Sequence, residues 1–185
     1  GAAICLVVAA CGTGEEVYVE RKVDVLYNTA VNSLEAREFK DAARKFEEVE
    51  RQHPYSVWAI KAKLMAAYSN YQANEYDAAI IGLERYIRLH PGNRDIPYAY
   101  YLKALSFYER ISDVARDQKI TEQALDALTE VVRRFPESKY ARDAELKIDL
   151  ARDHLASKQM EIGRYYHERG HYLAAINRFR RVIDN

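Results

Sequence analysis

Three segments of the chain share one pattern: KFEEVERQHP at 45–54, GLERYIRLHP at 82–91 and ALTEVVRRFP at 127–136. When they are aligned on the proline, an alanine, two large residues and the proline recur with spacings of four, three and five residues. The three copies are Ala42–Phe46–Val49–Pro54, Ala79–Leu83–Tyr86–Pro91 and Ala124–Leu128–Val131–Pro136. A fourth copy begins at Ala175–Phe179–Val182, so the chain contains an internal repeat.

The spacing of the repeat predicts paired helices. Steps of four and three residues place the alanine and both large residues on one stripe of an α-helix. The proline ends the helix because it lacks an N–H and clashes with the preceding turn. A second small residue lies twelve positions before the alanine in copies one, two and four, at Ala30, Ala67 and Gly163. In copy three, Ala104 lies twenty positions before it, so residues 111–121 are expected to contain an eight-residue insertion.

This pattern resembles the tetratricopeptide repeat (TPR). The resemblance implies an all-α, right-handed superhelical solenoid of antiparallel helix pairs over residues 22–185, with about four repeats and the last one truncated. An unrelated helical bundle is the alternative. Helices are expected at 22–37, 40–52, 56–73, 75–89, 96–110, 120–134, 138–169 and 172–184.

Two of these helices carry further expectations. Asp95 is expected to cap the helix at 96–110, with Pro97 tolerated in its first turn. The helix at 138–169 is long because it merges a spacer helix with the first helix of repeat four. Gly163 within it is expected to serve packing or a kink.

Composition excludes several classes of protein. The chain has 28 basic and 28 acidic residues, which argues against nucleic-acid binding driven by net charge. The cysteines, Cys5 and Cys11, lie within the first eleven residues. A disulfide scaffold and a cysteine-based metal site are therefore excluded for the folded body.

The amino terminus resembles the end of a bacterial lipoprotein signal. Residues 1–10 have no polar side chain, which fits the remnant of a signal-peptide h-region. Val8-Ala9-Ala10-Cys11 resembles a lipobox, which implies that Cys11 is lipidated, with acyl chains such as palmitate, and begins the mature protein. Residues 11–21 then form a polar tether, and Gly12 rather than Asp after the cysteine favours the outer membrane. The alternative is a buried apolar strand with an incidental cysteine.

The TPR resemblance also implies a binding groove. Positions 2, 5, 9 and 12 of the first helix of each TPR face the concave side, and six tyrosines occupy such positions here: Tyr27, Tyr68, Tyr71, Tyr98, Tyr101 and Tyr108. Rings with hydroxyl groups suit an extended or aromatic-rich peptide. The alternative is that these tyrosines only pack between helices. The Lys and Asn of the carboxylate clamp found in cytosolic TPR co-chaperones are absent.

Catalytic chemistry finds little support in the sequence. The glycines of GTG at 12–14 lack the lysine of a phosphate-binding loop. His167 and His171 of HERGH have the spacing of a zinc motif, but Gly170 is expected at a turn and no third ligand is evident. We therefore expect no catalytic residue, no metal and no cofactor apart from the covalent lipid on Cys11.

Three longer segments resemble the BamD (ComL-like) family of outer-membrane assembly TPR lipoproteins. They are YNTAVNSLEAREFKDAARKFEEVERQHPYSVWAIKAKLMAAYSNYQANEYDAAI at 27–80, YYLKALSFY at 100–108 and YYHERGHYLAAINRF at 165–179. The resemblance covers most of residues 20–185. It implies a non-catalytic scaffold on the periplasmic face of the outer membrane that binds the POTRA region of BamA and other Bam lipoproteins. It also implies that unfolded outer-membrane β-barrel proteins are received by the N-terminal repeats, through aromatic-terminated strands.

The same resemblance places Arg178 at the BamA interface, with an exposed helix charge as the alternative. Two rival functions remain. One is another periplasmic TPR lipoprotein in cell-wall or division coordination. The other is a cell-wall enzyme with a TPR accessory domain, which would need a catalytic domain beyond Asn185.

Overall fold

The computed structural model describes residues 20–111 and 118–184, and the regular structure of these residues is helical. The helices are α1 (Val23–Glu35), α2 (Phe39–Gln52), α3 (Val57–Gln72), α4 (Tyr76–Leu89), α5 (Ile96–Glu109), α6 (Gln118–Arg134), α7 (Lys139–Glu168) and α8 (Tyr172–Asp184). Their ends differ from the expected ones by two residues at most. In this part of the chain, none of the helices combines the length and apolar character that a bilayer span requires.

The helices pack in chain order as a TPR solenoid. Each helix contacts the next one along the chain, and short connections make neighbouring helices antiparallel. The odd-numbered helices also contact one another, α1 with α3, α3 with α5 and α5 with α7. They therefore line one common face. The expected all-α solenoid of antiparallel helix pairs is confirmed.

The repeat stripe forms the core. The alanine and both large residues of the first three copies are at most 1% exposed: Ala42, Phe46, Val49, Ala79, Leu83, Tyr86, Ala124, Leu128 and Val131. The small residues of the partner helices, Ala30, Ala67 and Ala104, are equally buried. Small side chains there allow the helices of a pair to approach closely, and the large side chains fill the space between them. The spacing in the sequence thus identified the residues that hold the solenoid together.

Serine and proline define the helix boundaries between repeats. Helix α2 ends two residues before Pro54, and the Ser56 hydroxyl accepts a hydrogen bond from the Ala59 N–H at 3.0 Å, which caps α3. The expectation for Asp95 was wrong in its chemistry: Asp95 stands at the cap position of α5, but its side chain makes no cap hydrogen bond. Instead its own N–H donates to Oδ1 of Asn93 at 2.9 Å.

The turns within the repeats use a left-handed residue at one fixed place. Arg37, Asn74 and Gly170 have φ angles of 60°, 60° and 75°, and each lies five residues before the repeat's alanine. This conformation costs little for glycine or asparagine but is strained for arginine. The turn geometry is therefore a property of the repeat, whichever residue occupies it.

Gly163 lies inside α7, where its lack of a side chain allows α8 to approach closely. Helix α7 is a single helix of 30 residues, and Gly163 is buried within it. A Cβ on Gly163 would lie 2.4 Å from Cε1 of Phe179 in α8. Of the two expected roles, packing is therefore the one that the structure supports.

Candidate functional site

The face lined by the odd-numbered helices carries a group of half-buried tyrosines. Tyr68 and Tyr71 lie on α3, whereas Tyr98 and Tyr101 lie on α5, and all pack against the central apolar core. Tyr108 of α5 and Tyr140 of α7 pack against the same core. We call these six residues the tyrosine cluster. It gathers five of the six tyrosines predicted from the sequence.

Tyr140 joins the cluster across two helices. Its ring is stacked on that of Tyr101, with centroids 5.1 Å apart and planes 26° apart. The same ring lies 5.5 Å from that of Tyr98, at 42°. Aromatic pairs in such arrangements are worth about 0.5–1.5 kcal/mol each beyond their buried area. The three rings therefore form an ordered aromatic surface between α5 and α7.

A polar chain runs along one edge of the cluster. The Tyr101 hydroxyl donates a hydrogen bond to Oδ2 of Asp143. That oxygen also lies 3.3 Å from Nζ of Lys147, and the same Nζ lies 5.4 Å from the ring centroid of Tyr108. The Lys147 charge is thus shared between a carboxylate and an aromatic face. The chain fixes Tyr101 and Tyr108 relative to α7.

Three hydroxyl groups of the cluster, those of Tyr71, Tyr98 and Tyr101, have raised pKa values. Burial raises the pKa of Tyr71 to about 12, and the carboxylate of Glu109, which accepts a hydrogen bond from it, adds to the shift. Burial also raises the pKa of Tyr98, with smaller effects from neighbouring tyrosines. For Tyr101, burial and the hydrogen bond to Asp143 raise the pKa together. At neutral pH these three hydroxyls are therefore uncharged, and their oxygens can accept hydrogen bonds.

Tyr27 lies apart from the tyrosine cluster. It is only 5% exposed and belongs to the apolar cluster of the first repeat. Its ring lies 5.4 Å from that of Phe46 and 4.8 Å from that of Trp58. Tyr27 therefore packs between helices, which was the alternative to a place in the groove.

The candidate site also contains Tyr140, Asp143, Lys147 and Glu109, which the sequence analysis did not identify. A signal was present: Tyr140, Asp143 and Lys147 follow one another at steps of three and four residues. The same steps separate Tyr27 from Asp24 and Val31, at groove positions of repeat one. Tyr140, Asp143 and Lys147 lie in the part of the long helix that the sequence analysis assigns to a spacer. In the structure, its first half continues the row of odd-numbered helices.

Arg178 lies at the other end of the described solenoid, and it is half-buried. Its Nη1 donates to Oε1 of Gln159 at 3.1 Å, and Gln159 is only 4% exposed. Arg178 is thus partly covered and tied to α7 by this hydrogen bond. A cavity of about 770 Å³ adjoins Arg178, between the end of α7 and α8. Its lining consists of Tyr166, Gly170, His171, Tyr172, Leu173, Ala174, Asn177, Arg178 and Arg181.

The HERGH segment forms the turn between α7 and α8. Gly170 occupies the left-handed region there, as expected of a turn residue. The His167 ring lies 5.8 Å from that of Tyr172, and the His171 ring lies 6.2 Å from that of Tyr166. Within residues 20–111 and 118–184, no three or more of the His, Cys, Asp and Glu side chains are grouped so as to hold a metal ion.

The amino-terminal predictions fall elsewhere. The signal remnant at 1–10, Cys5, Cys11 and most of the tether lie outside the described residues, as do residues 112–117 of the expected insertion.

Comparison with known proteins places the chain in a family. A family model described as YfiO, outer membrane lipoprotein, matches residues 19–185, which is nearly the whole chain. The chain belongs to the YfiO family of outer membrane lipoproteins. The resemblance to the BamD family, noted on three sequence segments, is thereby confirmed.

Relatives of this YfiO-family chain carry one common name, outer membrane protein assembly factor BamD. The protein of Caulobacter vibrioides is 51% identical, over 91% of this chain and 55% of its own length. That of Rickettsia prowazekii is 48% identical, over 88% of this chain and 65% of its own length. That of Neisseria gonorrhoeae is 34% identical, over 97% and 73%. The chain thus spans little more than half to about two thirds of the first two relatives.

Proposed function

We propose that this chain is part of a non-catalytic lipoprotein scaffold of the outer-membrane β-barrel assembly (Bam) complex. The match to an outer membrane lipoprotein family and the common name of the relatives support this proposal. The fold supports it as well, because a solenoid of stacked helix pairs provides extended surfaces for binding. In this proposal the protein acts by holding its partners and not by chemistry.

The scaffold is held at the periplasmic face of the outer membrane by acyl chains on Cys11. The support is the lipobox Val8-Ala9-Ala10-Cys11 together with the lipoprotein family. Two or three acyl chains anchor a protein stably, whereas one would bind only marginally. The tether at residues 11–21 then separates the anchor from the solenoid.

In this proposal the tyrosine cluster receives unfolded outer-membrane proteins, and the observation that supports it is the set of half-buried tyrosine rings packed on one core. An extended strand exposes backbone N–H and C=O groups that need partners. The raised pKa values keep the hydroxyls of Tyr71, Tyr98 and Tyr101 uncharged. Those of Tyr71 and Tyr101 already donate to Glu109 and Asp143, and their oxygens can still accept hydrogen bonds from the backbone N–H groups of a strand. The half-buried rings around Tyr140 provide a surface on which an aromatic side chain of the strand can pack.

The charges beside the cluster favour recognition of backbone and rings over recognition of an acidic group. Asp143 and Glu109 are carboxylates at its edge. Of the neighbouring cations, Lys147 is already paired with Asp143, and Nζ of Lys139 lies 5.2 Å from the ring centroid of Tyr140. A negatively charged ligand group would meet two carboxylates. We therefore propose a neutral, aromatic-ended strand as the ligand class.

The cavity beside Arg178 meets the POTRA region of BamA in this proposal, with other Bam lipoproteins as further partners of the scaffold. The hydrogen bond to the buried Gln159 holds the guanidinium in place, which lowers the entropy lost when a partner binds. The cavity also offers Tyr166 and Tyr172, and tyrosine and arginine are the residues enriched in interface hot spots.

Co-purification tests the whole proposal. The natural full-length protein is tagged, membranes are solubilised gently, and bound proteins are identified, with Cys11→Ala in parallel. We expect BamA with the wild type, and loss of membrane attachment with Cys11→Ala. If the anchored protein is in the outer membrane without BamA, the assembly role is refuted, and another periplasmic TPR scaffold of cell-envelope coordination takes its place.

Two matched variants separate the parts of the proposal. Arg178→Ala should lose BamA, whereas Arg180→Ala, two positions along α8 and exposed, should keep it. A photo-cross-linking residue at Tyr68 should capture an aromatic-ended strand peptide, and one at Leu89, which is 49% exposed at the end of α4, should not. Equal capture at both positions would contradict the role of the tyrosine cluster.

A further inference from the structure

The end of the turn between α2 and α3 and the first two residues of α3 expose three apolar side chains in four residues. Tyr55 is 100% exposed, Val57 is 82% exposed and Trp58 is 40% exposed. We call these residues the α2–α3 patch. Their exposure is unusual because Trp and Val are mostly buried in folded proteins. Ser56 between them caps α3, so the backbone that carries the patch is ordered.

The chain enters the fold beside this same turn. The N–H of Arg21 donates to Oε1 of Gln52 at 2.9 Å, and its carbonyl lies 2.6 Å from Nε2 of His53. These two contacts tie the segment before α1 to the end of α2. Anything attached shortly before Glu20 in the chain is therefore held close to the α2–α3 patch.

The lipid attachment predicted at Cys11 is only nine residues before Glu20. An extended chain spans about 3.3–3.6 Å per residue, so Glu20, beside which the patch lies, can be at most roughly 30 Å from the anchored cysteine. Tethering over such a short distance raises the effective concentration of the membrane surface at the patch to the millimolar range, on the order of that for short flexible linkers. Weak contacts are then enough to dock the patch on the bilayer.

The residues of the patch suit the boundary between water and lipid. Trp and Tyr are enriched at membrane interfaces, where their rings sit at the level of the headgroups. Trp58 is held by ring contact with Tyr27 at 4.8 Å. Lys61 lies one helical turn after Trp58, with its Nζ 5.6 Å from the ring centroid of Tyr27, and Lys22 follows the tied Arg21. Cations beside exposed aromatic side chains favour a surface with anionic headgroups.

We propose that the α2–α3 patch docks on the phospholipid surface to which the protein is anchored. This inference rests on the lipidation of Cys11 that is part of the proposed function. Docking gives the solenoid two attachments, the lipid and the patch, and thereby orients the face that carries the tyrosine cluster relative to the membrane. A protein partner fits less well, because three side chains in one turn provide far less than the approximately 800 Å² per side of a stable protein interface.

Trp58 itself reports the docking, since it is the single tryptophan among the 185 residues. The chain with Cys5→Ser is coupled through the Cys11 thiol to a maleimide-headgroup lipid in vesicles of phosphatidylethanolamine and phosphatidylglycerol. We expect a blue shift of Trp58 emission relative to the uncoupled chain, and quenching when the phospholipids carry bromine near the headgroup. The variant Tyr55→Ser/Val57→Ser should lose both effects.

The matched control is Leu146→Ser/Leu150→Ser on α7. It also replaces two exposed apolar side chains, 62% and 57% exposed, but away from the patch. It should keep both effects. Quenching that is absent in the wild type, or unchanged in Tyr55→Ser/Val57→Ser, overturns the proposal. So does protection of Trp58 that appears only when a purified Bam protein is added.

Chemical coupling separates this test from that of the anchor. Because the maleimide lipid supplies the attachment, the vesicle result does not depend on whether cells modify Cys11. Incorporation of labelled palmitate in cells, compared with Cys11→Ala, tests that modification by itself. Quenching without incorporation would support the docking surface and refute the proposed anchor, whereas incorporation without quenching would do the reverse.

Discussion

Replacing Gly163 by alanine is expected to loosen the packing of α8 on α7. A Cβ at position 163 would lie 2.4, 2.7 and 3.0 Å from three ring atoms of Phe179, where ordinary contacts are 3.4–4 Å. The ring would have to withdraw by about 1 Å, and in a close-packed helix pair the neighbouring side chains must follow. Arg178 precedes Phe179, so its hydrogen bond to Gln159 is strained by the same displacement.

Two opposing contributions set the size of the change in the free energy of unfolding. Alanine in a helix interior is more favourable than glycine by about 1 kcal/mol. Overpacking a well-packed interior costs about 1–3 kcal/mol. The clash with an aromatic ring belongs to the upper part of that range. We therefore expect Gly163→Ala to lower the free energy of unfolding by roughly 1–2 kcal/mol, although propensity alone predicts an increase.

The assay is urea unfolding followed by far-ultraviolet circular dichroism, combined with hydrogen exchange of α8, because repeat proteins can open from one end. Gly92→Ala is the control, since a Cβ there would meet nothing within 4 Å. It should leave stability and exchange unchanged. In a Phe179→Leu background, which removes the ring, Gly163→Ala should become neutral or stabilising.

The reasoning would be refuted if Gly163→Ala were as stable as the wild type with unchanged exchange in α8. It would also be refuted if the cost were the same with and without the Phe179 ring, since the clash would then not be its source. Such results would mean that α8 can shift freely on α7, and they would weaken the argument that Arg178 is held in place.

Three further predictions concern the cluster and a cap. The folded-state pKa values of Tyr71, Tyr98 and Tyr101 are raised, so the stability that these residues contribute is present below about pH 10 and is lost as the pH rises through the folded values, about 12 for Tyr71. Urea unfolding at a series of pH values and tyrosinate absorbance measure this loss. Titration of these residues near pH 10 in the folded protein would contradict the prediction. Tyr101→Phe removes the donor to Asp143, whose side chain is 44% exposed, so we expect the free energy of unfolding in urea to fall by roughly 1 kcal/mol. Calorimetry should also show weaker binding of a strand peptide, and unchanged values in both assays would rule out that hydrogen bond. Ser56→Ala removes the cap of α3 and should lower the free energy of unfolding by about 1 kcal/mol in the same assay, whereas Ser56→Thr should retain most of the wild-type stability. Equal losses of stability in both variants would argue against capping.

The repeat core was predictable from the sequence because its determinants are local. Alanine and two large residues at steps of four and three must fall on one helical stripe, whatever the rest of the chain does. The residues so identified, such as Ala42, Phe46 and Leu83, are fully buried. Helix ends were predictable for the same reason, since proline terminates a helix by its own covalent structure.

The candidate site was predictable only in part. The TPR positions pointed to Tyr68, Tyr71, Tyr98, Tyr101 and Tyr108, but not to the residues that order them. Which residue partners each of these tyrosines depends on the angle and register at which one helix pair stacks on the next. These quantities are set by the whole stack of side chains, and the spacing of residues within one helix does not specify them.

By itself, the sequence determined the helices, the stripe of each helix that is buried and five of the tyrosines on the face of the odd-numbered helices. The tertiary structure decided that Tyr140 stacks on Tyr101 and that Asp143, 42 residues after Tyr101, accepts its hydrogen bond. It also decided that Tyr27 is buried beside Trp58 and that Arg178 is held by Gln159. The physical reason is one of range: helix periodicity and capping act over a few residues, whereas these contacts join side chains that only the packing of separate helices brings together.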